Sequence, residues 1–245
     1  MKILVTGTSG GLGEYLYKSL NCYSLNRQTN FNEISKHEFD LIIHCAFNTK
    51  NTIHQSELLS YINDNVFLTK KLIEEVKSKK FIFISSVDVY PQNHSKNENE
   101  PININDVKNI YGKTKLISEE IVKKHKDYLI LRCCGIIGDN KIPKSISNLL
   151  KTKKTTLTST SKVNYINQET ILDIIKFNVI SNETINIASN LSMNIKELES
   201  IIYPIDYGSY EYDIGEIKID KFKKYFPNIN NNSSKEVLLN IINCL

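Results

Sequence analysis

The chain has 245 residues, which is enough for one large hydrophobic core or for a large core with a small appended region. Its formal net charge is +4, and its basic residues form no continuous block. This balance permits phosphorylated small molecules as partners and does not favour nucleic acid. No apolar run approaches the roughly 20 residues that cross a membrane, and no leader precedes the first predicted strand. We therefore expect a cytoplasmic protein without a membrane partner.

The cysteines and histidines show no pattern typical of a metal site. Five residues of each type are present, and none of their spacings matches a known ligand motif. Cys45 falls within a predicted core strand. We expect reduced thiols and no bound metal.

The amino-terminal stretch predicts a strand, a glycine turn and a helix. Residues 1–6 are mostly apolar, Gly7, Gly10 and Gly13 follow at three-residue spacing, and residues 14–20 have a helical pattern. In this context the first glycine permits a tight turn, the second allows a pyrophosphate to approach the backbone, and the third allows close packing of helix and strand. The free amides at the helix start bind the anion. The stretch therefore predicts dinucleotide binding.

Apolar strands alternate with helices along the first half of the chain. Strands are predicted at 22–26, 40–46, 81–85 and 128–132, and the longest helices at 57–79 and 109–125. This alternation predicts a doubly wound parallel sheet of the Rossmann type over residues 1–135, an α/β fold.

Beyond this region the pattern changes to shorter elements. Helices are predicted at 145–151, 168–178, 194–202, 220–225 and 235–242, and strands at 163–166 and 184–187. We expect residues 136–245 to form a small α/β substrate-binding region that packs on the first to make a single compact unit.

Two further stretches carry groups suited to acid–base chemistry. Tyr111 and Lys115 are four residues apart on a predicted helix and so share one face, although this spacing also occurs on ordinary surface helices. An ammonium group beside a phenol favours the phenolate, so the pair can act as a general acid or base. Ser85 and Ser86 end a predicted strand, where parallel sheets bind their ligands. A hydroxyl there can hydrogen-bond a carbonyl or alcohol oxygen.

The order of glycine turn, strand-end serines and Tyr-x-x-x-Lys helix resembles the short-chain dehydrogenase/reductase superfamily, in its extended, nucleotide-sugar-modifying branch. The resemblance implies that Tyr111 is the catalytic acid/base, that Lys115 lowers its pKa and holds the nicotinamide ribose, and that Ser86 binds the reacting oxygen. It implies a cofactor site made of Gly7, Ser9, Gly10, Gly11, Leu12 and Gly13 around the pyrophosphate, with Cys45, Ala46 and Phe47 along the cleft. Tyr111 and Lys115 are also among the cofactor-binding residues that it implies.

Within this branch the chain is similar to 4-ketoreductases related to dTDP-4-dehydrorhamnose reductase. The resemblance implies reduction of a nucleotide-linked keto sugar at C4, in the synthesis of deoxysugars or surface-polysaccharide precursors. Asp88, Tyr90 and Tyr165 are candidates for substrate contacts. Dehydratases of the branch carry two acids after the strand-end hydroxyl, and here only the second is present, in Val87-Asp88. A 4-epimerase with retained NAD and a non-catalytic NADP-binding sensor or scaffold stay open as alternatives.

Cofactor preference depends on the residues that follow the second strand. A carboxylate there binds a ribose 2′-hydroxyl, whereas an arginine accommodates a 2′-phosphate. The chain has Asn26-Arg27, which predicts NADP(H) rather than NAD(H), unless Arg27 is simply a solvated loop residue. The family resemblance further implies a homodimer through the helices at 57–79 and 109–125, with Phe67 in their apolar stripe.

Overall fold

The computed structural model of the chain describes residues 1–92, 94–138, 144–177 and 179–243. These residues form two compact units. Unit 1 comprises Met1–Pro91, Glu98–Cys133 and Asn178–Asn186, and unit 2 comprises Gln92–Asn97, Cys134–Phe177 and Ile187–Leu245. The assignment of substrate binding to residues 136–245 stays a prediction.

Short and medium-length strands run along the described chain. They are β1 (Ile3–Thr6), β2 (Tyr23–Leu25), β3 (Glu38–His44), β4 (Lys77–Ser86), β5 (Tyr128–Cys133), β6 (Gly135–Ile137), β7 (Lys162–Val163), β8 (Tyr165–Asn167), β9 (Glu183–Ile187) and β10 (Met193–Asn194).

The α-helices of the described residues are α1 (Gly11–Ser19), α2 (Phe31–Ser35), α3 (Leu58–Ile62), α4 (Leu68–Glu75), α5 (Ile110–Val122), α6 (Lys144–Thr152), α7 (Gln168–Phe177), α8 (Asp220–Tyr225) and α9 (Ser234–Ile242). The π-helical segment Asn63–Phe67 joins α3 to α4. Short 3₁₀ turns occur at Gln55–Glu57, Val87–Val89, Ile104–Asp106 and Ile195–Ser200. Within the ranges described, no helix is both long and apolar enough to cross a membrane.

A six-stranded sheet in the order β2-β1-β3-β4-β5-β9 forms the centre of unit 1. Its first five strands pair in parallel. The chain adds β2 on one side of β1 and then adds β3, β4 and β5 on the other, so the direction of winding reverses at β1. The predicted Rossmann-type doubly wound sheet is confirmed.

The central strands are buried because their sequences are apolar on both faces. Leu41, Ile42 and Ile43 in β3 and Phe81 and Phe83 in β4 are fully buried. A parallel sheet needs such strands, since its crossover helices cover both faces.

The predicted helix at 57–79 is wrong in its last turn. Helix α4 ends at Glu75, Val76 is extended, and β4 already begins at Lys77, which pairs with Glu38 of β3. The side-chain pattern from Lys77 to Lys80 fits a helix, but pairing in the sheet overrides this local preference.

Unit 2 contains two small strand pairs around a second hydrophobic core. Strands β6 and β8 pair in parallel, and β7 and β10 pair antiparallel. The predicted strand at 163–166 is interrupted at Asn164, whose side-chain amide binds the backbone of Ser189. The predicted helix at 194–202 is a 3₁₀ segment, Ile195–Ser200, whereas helices at 220–225 and 235–242 are confirmed.

Candidate active site

The glycine turn between β1 and α1 has the geometry of an anion site. Gly7 has a φ of +74°, which favours glycine. A methyl group at Gly13 would lie 2.3 Å from the carbonyl oxygen of Gly7, so the helix approaches the strand closely only with glycine there. At Gly10 a Cβ would meet nothing within 4 Å, so this side of the turn is open. The first amides of a helix have no acceptor within it, so a pyrophosphate fits this open side.

The other predicted pyrophosphate residues surround this turn. Ser9 is exposed at the turn, Gly11 is partly exposed at the start of α1, and Leu12 is buried beneath it. Gly10 occupies the N-cap position and offers no side chain that would compete with an anion.

The end of β3 is tied to the glycine turn by a buried hydroxyl. Thr6 Oγ1 accepts hydrogen bonds from the backbone N–H groups of Cys45, at 3.1 Å, and Ala46, at 3.0 Å. A Cβ at Gly7 would lie 2.7 Å from the backbone nitrogen of Ala46. The predicted cleft residues Cys45 and Ala46 therefore lie beside the turn, and Thr6, to which sequence reasoning gave no role, holds them there.

His44 continues this buried network as a neutral ring. Its Nδ1 lies 2.7 Å from Thr6 Oγ1 and its Nε2 lies 2.9 Å from Thr69 Oγ1. Thr69 donates its own proton to the backbone oxygen of Asn65, so Nε2 must donate and Nδ1 must accept. Burial and the charge of Lys115 lower the pKa of His44 to about 3. The ring thus links the glycine turn to the π-helical segment without adding charge.

Helix α5 begins against the end of β4 and brings the predicted catalytic residues together. The Asn109 side chain caps the helix by accepting from the N–H of Gly112 at 2.7 Å. A methyl group at Gly112 would lie 2.0 Å from the carbonyl oxygen of Asp88, so this approach requires glycine. It places the phenol of Tyr111 close enough to the Ser86 hydroxyl for that group to influence its pKa.

Lys115 lies one turn along the same helix face and is 3% exposed. Its Nζ donates to the carbonyl oxygen of Ile84 at 2.5 Å, and lies 3.7 Å from the ring centroid of Phe47 and 4.6 Å from that of Phe83. Burial lowers the pKa of Lys115 to about 7. The side chain is therefore poised between its two protonation states at neutral pH.

Tyr111 is held in its protonated form. Burial and the nearby Asp88 carboxylate raise the pKa of Tyr111 well above its usual value, against the opposing effect of the nearby Ser86 hydroxyl. Lys115 binds Ile84 rather than the phenol, with its Nζ 5.8 Å from the centre of the Tyr111 ring. The lowering of the Tyr111 pKa by Lys115, which the family resemblance implies, stays a prediction.

We expect Lys115 to make the stability of the protein depend on pH. Its pKa is about 7 in the folded chain against 10.5 for an ordinary lysine, so between these values the unfolded state binds more protons and the free energy of unfolding rises with pH. Lys115→Met removes this rise, which is on the order of 3 kcal/mol between pH 6 and pH 9, and is expected to stabilise the protein at about pH 6. Chemical denaturation near pH 6 and pH 9 measures the difference from wild type.

Lys113→Met is the matched control, because Lys113 lies on the same helix and is partly exposed. It is expected to follow the wild-type pH profile. A Lys115→Met profile as steep as that of the wild type would show that Lys115 stays charged in the folded protein.

The end of β2 carries the residues predicted to choose the cofactor. Asn26 Nδ2 donates to the hydroxyls of Thr8 and Ser24, each at 3.3 Å. The Arg27 side chain is 86% exposed and pairs with the Asp64 carboxylate at 3.0 Å. Sequence reasoning did not place Asp64 here, because the residue lies 37 positions further along the chain in the π-helical segment.

A buried ion pair that sequence reasoning missed lies behind the strand-end serines. Glu119 is 0% and Arg132 5% exposed, and the guanidinium binds both carboxylate oxygens, the shortest contact being 2.7 Å. Ser85 Oγ donates to Glu119 at 2.5 Å. Arg132 also donates to the Tyr90 hydroxyl, which in turn donates to Asn186. The sequence does contain features that indicate this ion pair, since Glu119 follows Lys115 by one helical turn and Arg132 interrupts an apolar strand.

The three candidate substrate residues have different surroundings. Asp88 is partly exposed and close enough to Tyr111 to influence its pKa. The Tyr90 hydroxyl is engaged with Arg132 and Asn186. Tyr165 is buried in unit 2, where its ring contacts the backbone at Gly135.

Unit 1 also contains a cavity of about 660 Å³ that the predicted catalytic and pyrophosphate-binding residues do not line. Residues 98–104, part of α5 and Arg132 line it, but the glycine turn, Ser86, Tyr111 and Lys115 do not. It is therefore not the predicted cofactor cleft.

A sequence model described as the NAD dependent epimerase/dehydratase family matches residues 21–166. The chain belongs to this family. The match covers the strand-end serines and helix α5 and begins after the glycine turn. Membership confirms the predicted resemblance and the predicted class of NAD(P)-dependent enzymes, and it supports a nicotinamide dinucleotide cofactor.

Solved structures share the fold along the whole chain. UDP-glucuronic acid 4-epimerase from Bacillus cereus, in complex with UDP-glucuronic acid and NAD, is 19% identical with a TM-score of 0.77, covering 100% of this chain and 99% of that one. A dTDP-4-dehydrorhamnose reductase, an RfbD ortholog from Clostridium acetobutylicum, is 20% identical with a TM-score of 0.78 and the same coverage. RMD from Pseudomonas aeruginosa, complexed with NADPH, is 16% identical with a TM-score of 0.75, covering 99% of each chain.

Proposed function

We propose that this family member is an NAD(P)H-dependent reductase that transfers hydride to the C4 carbonyl of a nucleotide-linked keto sugar. Two of the similar structures support the substrate class by their names, one a dTDP-4-dehydrorhamnose reductase and the other a complex with UDP-glucuronic acid. The observation that carries the proposal is the close approach of helix α5 to the end of β4, which brings the Tyr111 phenol beside the Ser86 hydroxyl.

Several residues of unit 1 have separate roles in such a reaction. The open glycine turn and the first amides of α1 bind the pyrophosphate. Ser86 donates a hydrogen bond to the carbonyl oxygen of the sugar, and Tyr111 gives that oxygen a proton as charge develops on it. Lys115 holds hydroxyl groups of the nicotinamide ribose. The bound cofactor supplies the hydride.

The protonation state of Tyr111 separates this proposal from the epimerase alternative. A reductase starts its chemistry with a phenol that gives a proton, whereas an epimerase starts with a phenolate that takes one from the sugar hydroxyl. Burial and Asp88 favour the phenol. Dehydration is disfavoured because the position after Ser86 holds Val87, which cannot act as an acid.

The experiment that tests the proposal follows the loss of NADPH absorbance with a panel of nucleotide-linked 4-keto-6-deoxy sugars. Turnover of at least one sugar is the expected result. No turnover across the panel, together with NAD retained through purification and conversion of a nucleotide sugar to its 4-epimer, would support the epimerase. Measurable NADPH binding with neither activity would support the sensor.

We also propose that NADP(H) is preferred over NAD(H) because of Arg27. A hydrogen bond to a charged partner contributes about 1.5–3 kcal/mol, and the exposure of Arg27 puts its effect at the lower end. Arg27→Ala is therefore expected to weaken NADPH binding roughly tenfold while NADH binding changes little. Fluorescence titration of both cofactors measures the two dissociation constants.

Asp64→Asn is the matched control for this prediction. It removes the carboxylate that pairs with Arg27 but keeps the arginine, so NADPH binding is expected to be equal to or tighter than in wild type. Equal weakening of NADPH and NADH in Arg27→Ala would place the arginine away from the 2′-phosphate.

A homodimer through the helices of unit 1 is a further part of the proposal. Leu59, Phe67 and Ile117 are exposed apolar residues, the first two on the helical run from α3 to α4 and the third on α5. Burial of such side chains against a second copy is the usual source of association energy.

A further inference from the structure

Phe47 covers the ammonium group of Lys115. The Phe47 ring centroid lies 3.7 Å from Lys115 Nζ, and its edge meets the Tyr111 ring at a centroid distance of 5.8 Å and an interplanar angle of 85°. Phe83 closes another side, with its centroid 6.1 Å from that of Phe47. Phe47 is itself partly exposed, whereas Lys115 is almost completely buried. The ring thus stands between the lysine and the solvent.

The chemistry of the ammonium group explains why a ring is suited to this position. One of its three donors binds the carbonyl oxygen of Ile84, and the cation also faces the Phe47 and Phe83 rings. The negatively polarised face of an aromatic ring attracts a cation electrostatically. Phe47 therefore holds Lys115 against Ile84 while keeping water away.

The backbone on both sides of Phe47 is fixed. The N–H of Ala46 is bound to Thr6 Oγ1, and the N–H and carbonyl of Asn48 are both bound to the side-chain amide of Asn65. Movement of the ring off Lys115 therefore needs a change of its side-chain rotamer and not a rearrangement of the chain.

We propose that Phe47 is a displaceable cap on Lys115, a positioning residue whose ring must turn away before the nicotinamide ribose can reach the lysine. The displacement step rests on the proposed function, since it takes the ribose as the ligand of Lys115. The shielding of Lys115 by the ring does not, so the two can be tested separately.

The first test measures acylation of Lys115 by N-hydroxysuccinimidyl acetate in protein without added cofactor, with peptide mass spectrometry to quantify each lysine. Lys113 of the same helix is the internal reference. The labelling rate of Lys115 is expected to rise about tenfold in Phe47→Ala and little in Phe47→Leu, which keeps most of the bulk. Equal rates in wild type and Phe47→Ala would overturn the cap. Thermal melting of both variants checks that they fold.

The second test measures NADPH binding by fluorescence. Phe47→Ala is expected to bind roughly 2- to 30-fold more tightly than wild type, because no cation–π contact has to be broken. Phe47→Leu is expected to lie between them. Weaker binding in Phe47→Ala would overturn displacement and show that the ring stays in contact with the bound cofactor. Faster labelling without NADPH binding by any form would support the shielding and contradict the proposed function.

Discussion

Tyr111→Phe is expected to lower turnover of the nucleotide-linked keto sugar by roughly 10²- to 10⁴-fold, the usual contribution of a positioned general acid. The loss follows because the variant keeps the ring that packs against Phe47 but has no proton to give to the carbonyl oxygen. NADPH affinity is expected to change less than about threefold, since the glycine turn and Lys115 keep their proposed contacts with the cofactor. Stopped-flow or steady-state absorbance at saturating NADPH measures turnover, and titration with NADPH measures the affinity.

Tyr90→Phe is the matched control for this experiment. It removes a buried hydroxyl in the same unit that binds Arg132 and Asn186, so turnover is expected to stay within a few-fold of wild type. If Tyr111→Phe kept wild-type turnover, the proton would have another source and the assigned role of Tyr111 would be wrong. A large loss in Tyr90→Phe would instead indicate that this hydroxyl contacts the substrate.

Glu119→Ala is expected to lower the free energy of unfolding by about 3–5 kcal/mol. The substitution leaves the Arg132 guanidinium buried without its carboxylate and removes the acceptor of Ser85. The neighbouring Glu120 is exposed, with a 64% exposed side chain, and Glu120→Ala is expected to change stability by less than about 0.5 kcal/mol. Urea denaturation followed by circular dichroism measures both.

The combined variant Glu119→Ala and Arg132→Met tests the cause of this destabilisation. Removing both charges leaves no unpaired ion in the core, so the double variant is expected to be more stable than Glu119→Ala alone. If the loss of unfolding free energy in the double variant equalled the sum of the losses in Glu119→Ala and Arg132→Met, the unpaired charge would not be the source of the destabilisation.

The sheet of unit 1 can be predicted from the sequence because short contiguous stretches of the chain determine its strands and turns. Residues 41–43 form a continuous apolar run, which is typical of a parallel strand covered on both faces, and Gly7, Gly10 and Gly13 mark the turn into a helix. The grouping of Tyr111 and Lys115 follows from helical spacing. Their proximity to Ser86 follows from the rule that ligands bind at the carboxyl ends of parallel strands.

The remaining features depend on contacts between distant parts of the chain. Lys77 joins β4 only because Glu38 pairs with it. The cap over Lys115 depends on where the chain after β3 places the Phe47 ring, and no spacing rule connects these two positions. Burial also sets the pKa of Lys115, since the same side chain on a solvated helix would stay near 10.5.

The most direct test of the proposed reaction uses NADPH that carries deuterium at C4 of the nicotinamide, with the nucleotide-linked keto sugar as acceptor. With deuterium at both C4 positions, mass spectrometry and NMR of the product are expected to show one deuterium, on the sugar carbon that held the carbonyl, with one NADPH consumed for each product. A product without deuterium, or epimerised sugar formed without loss of NADPH, would contradict the reductase.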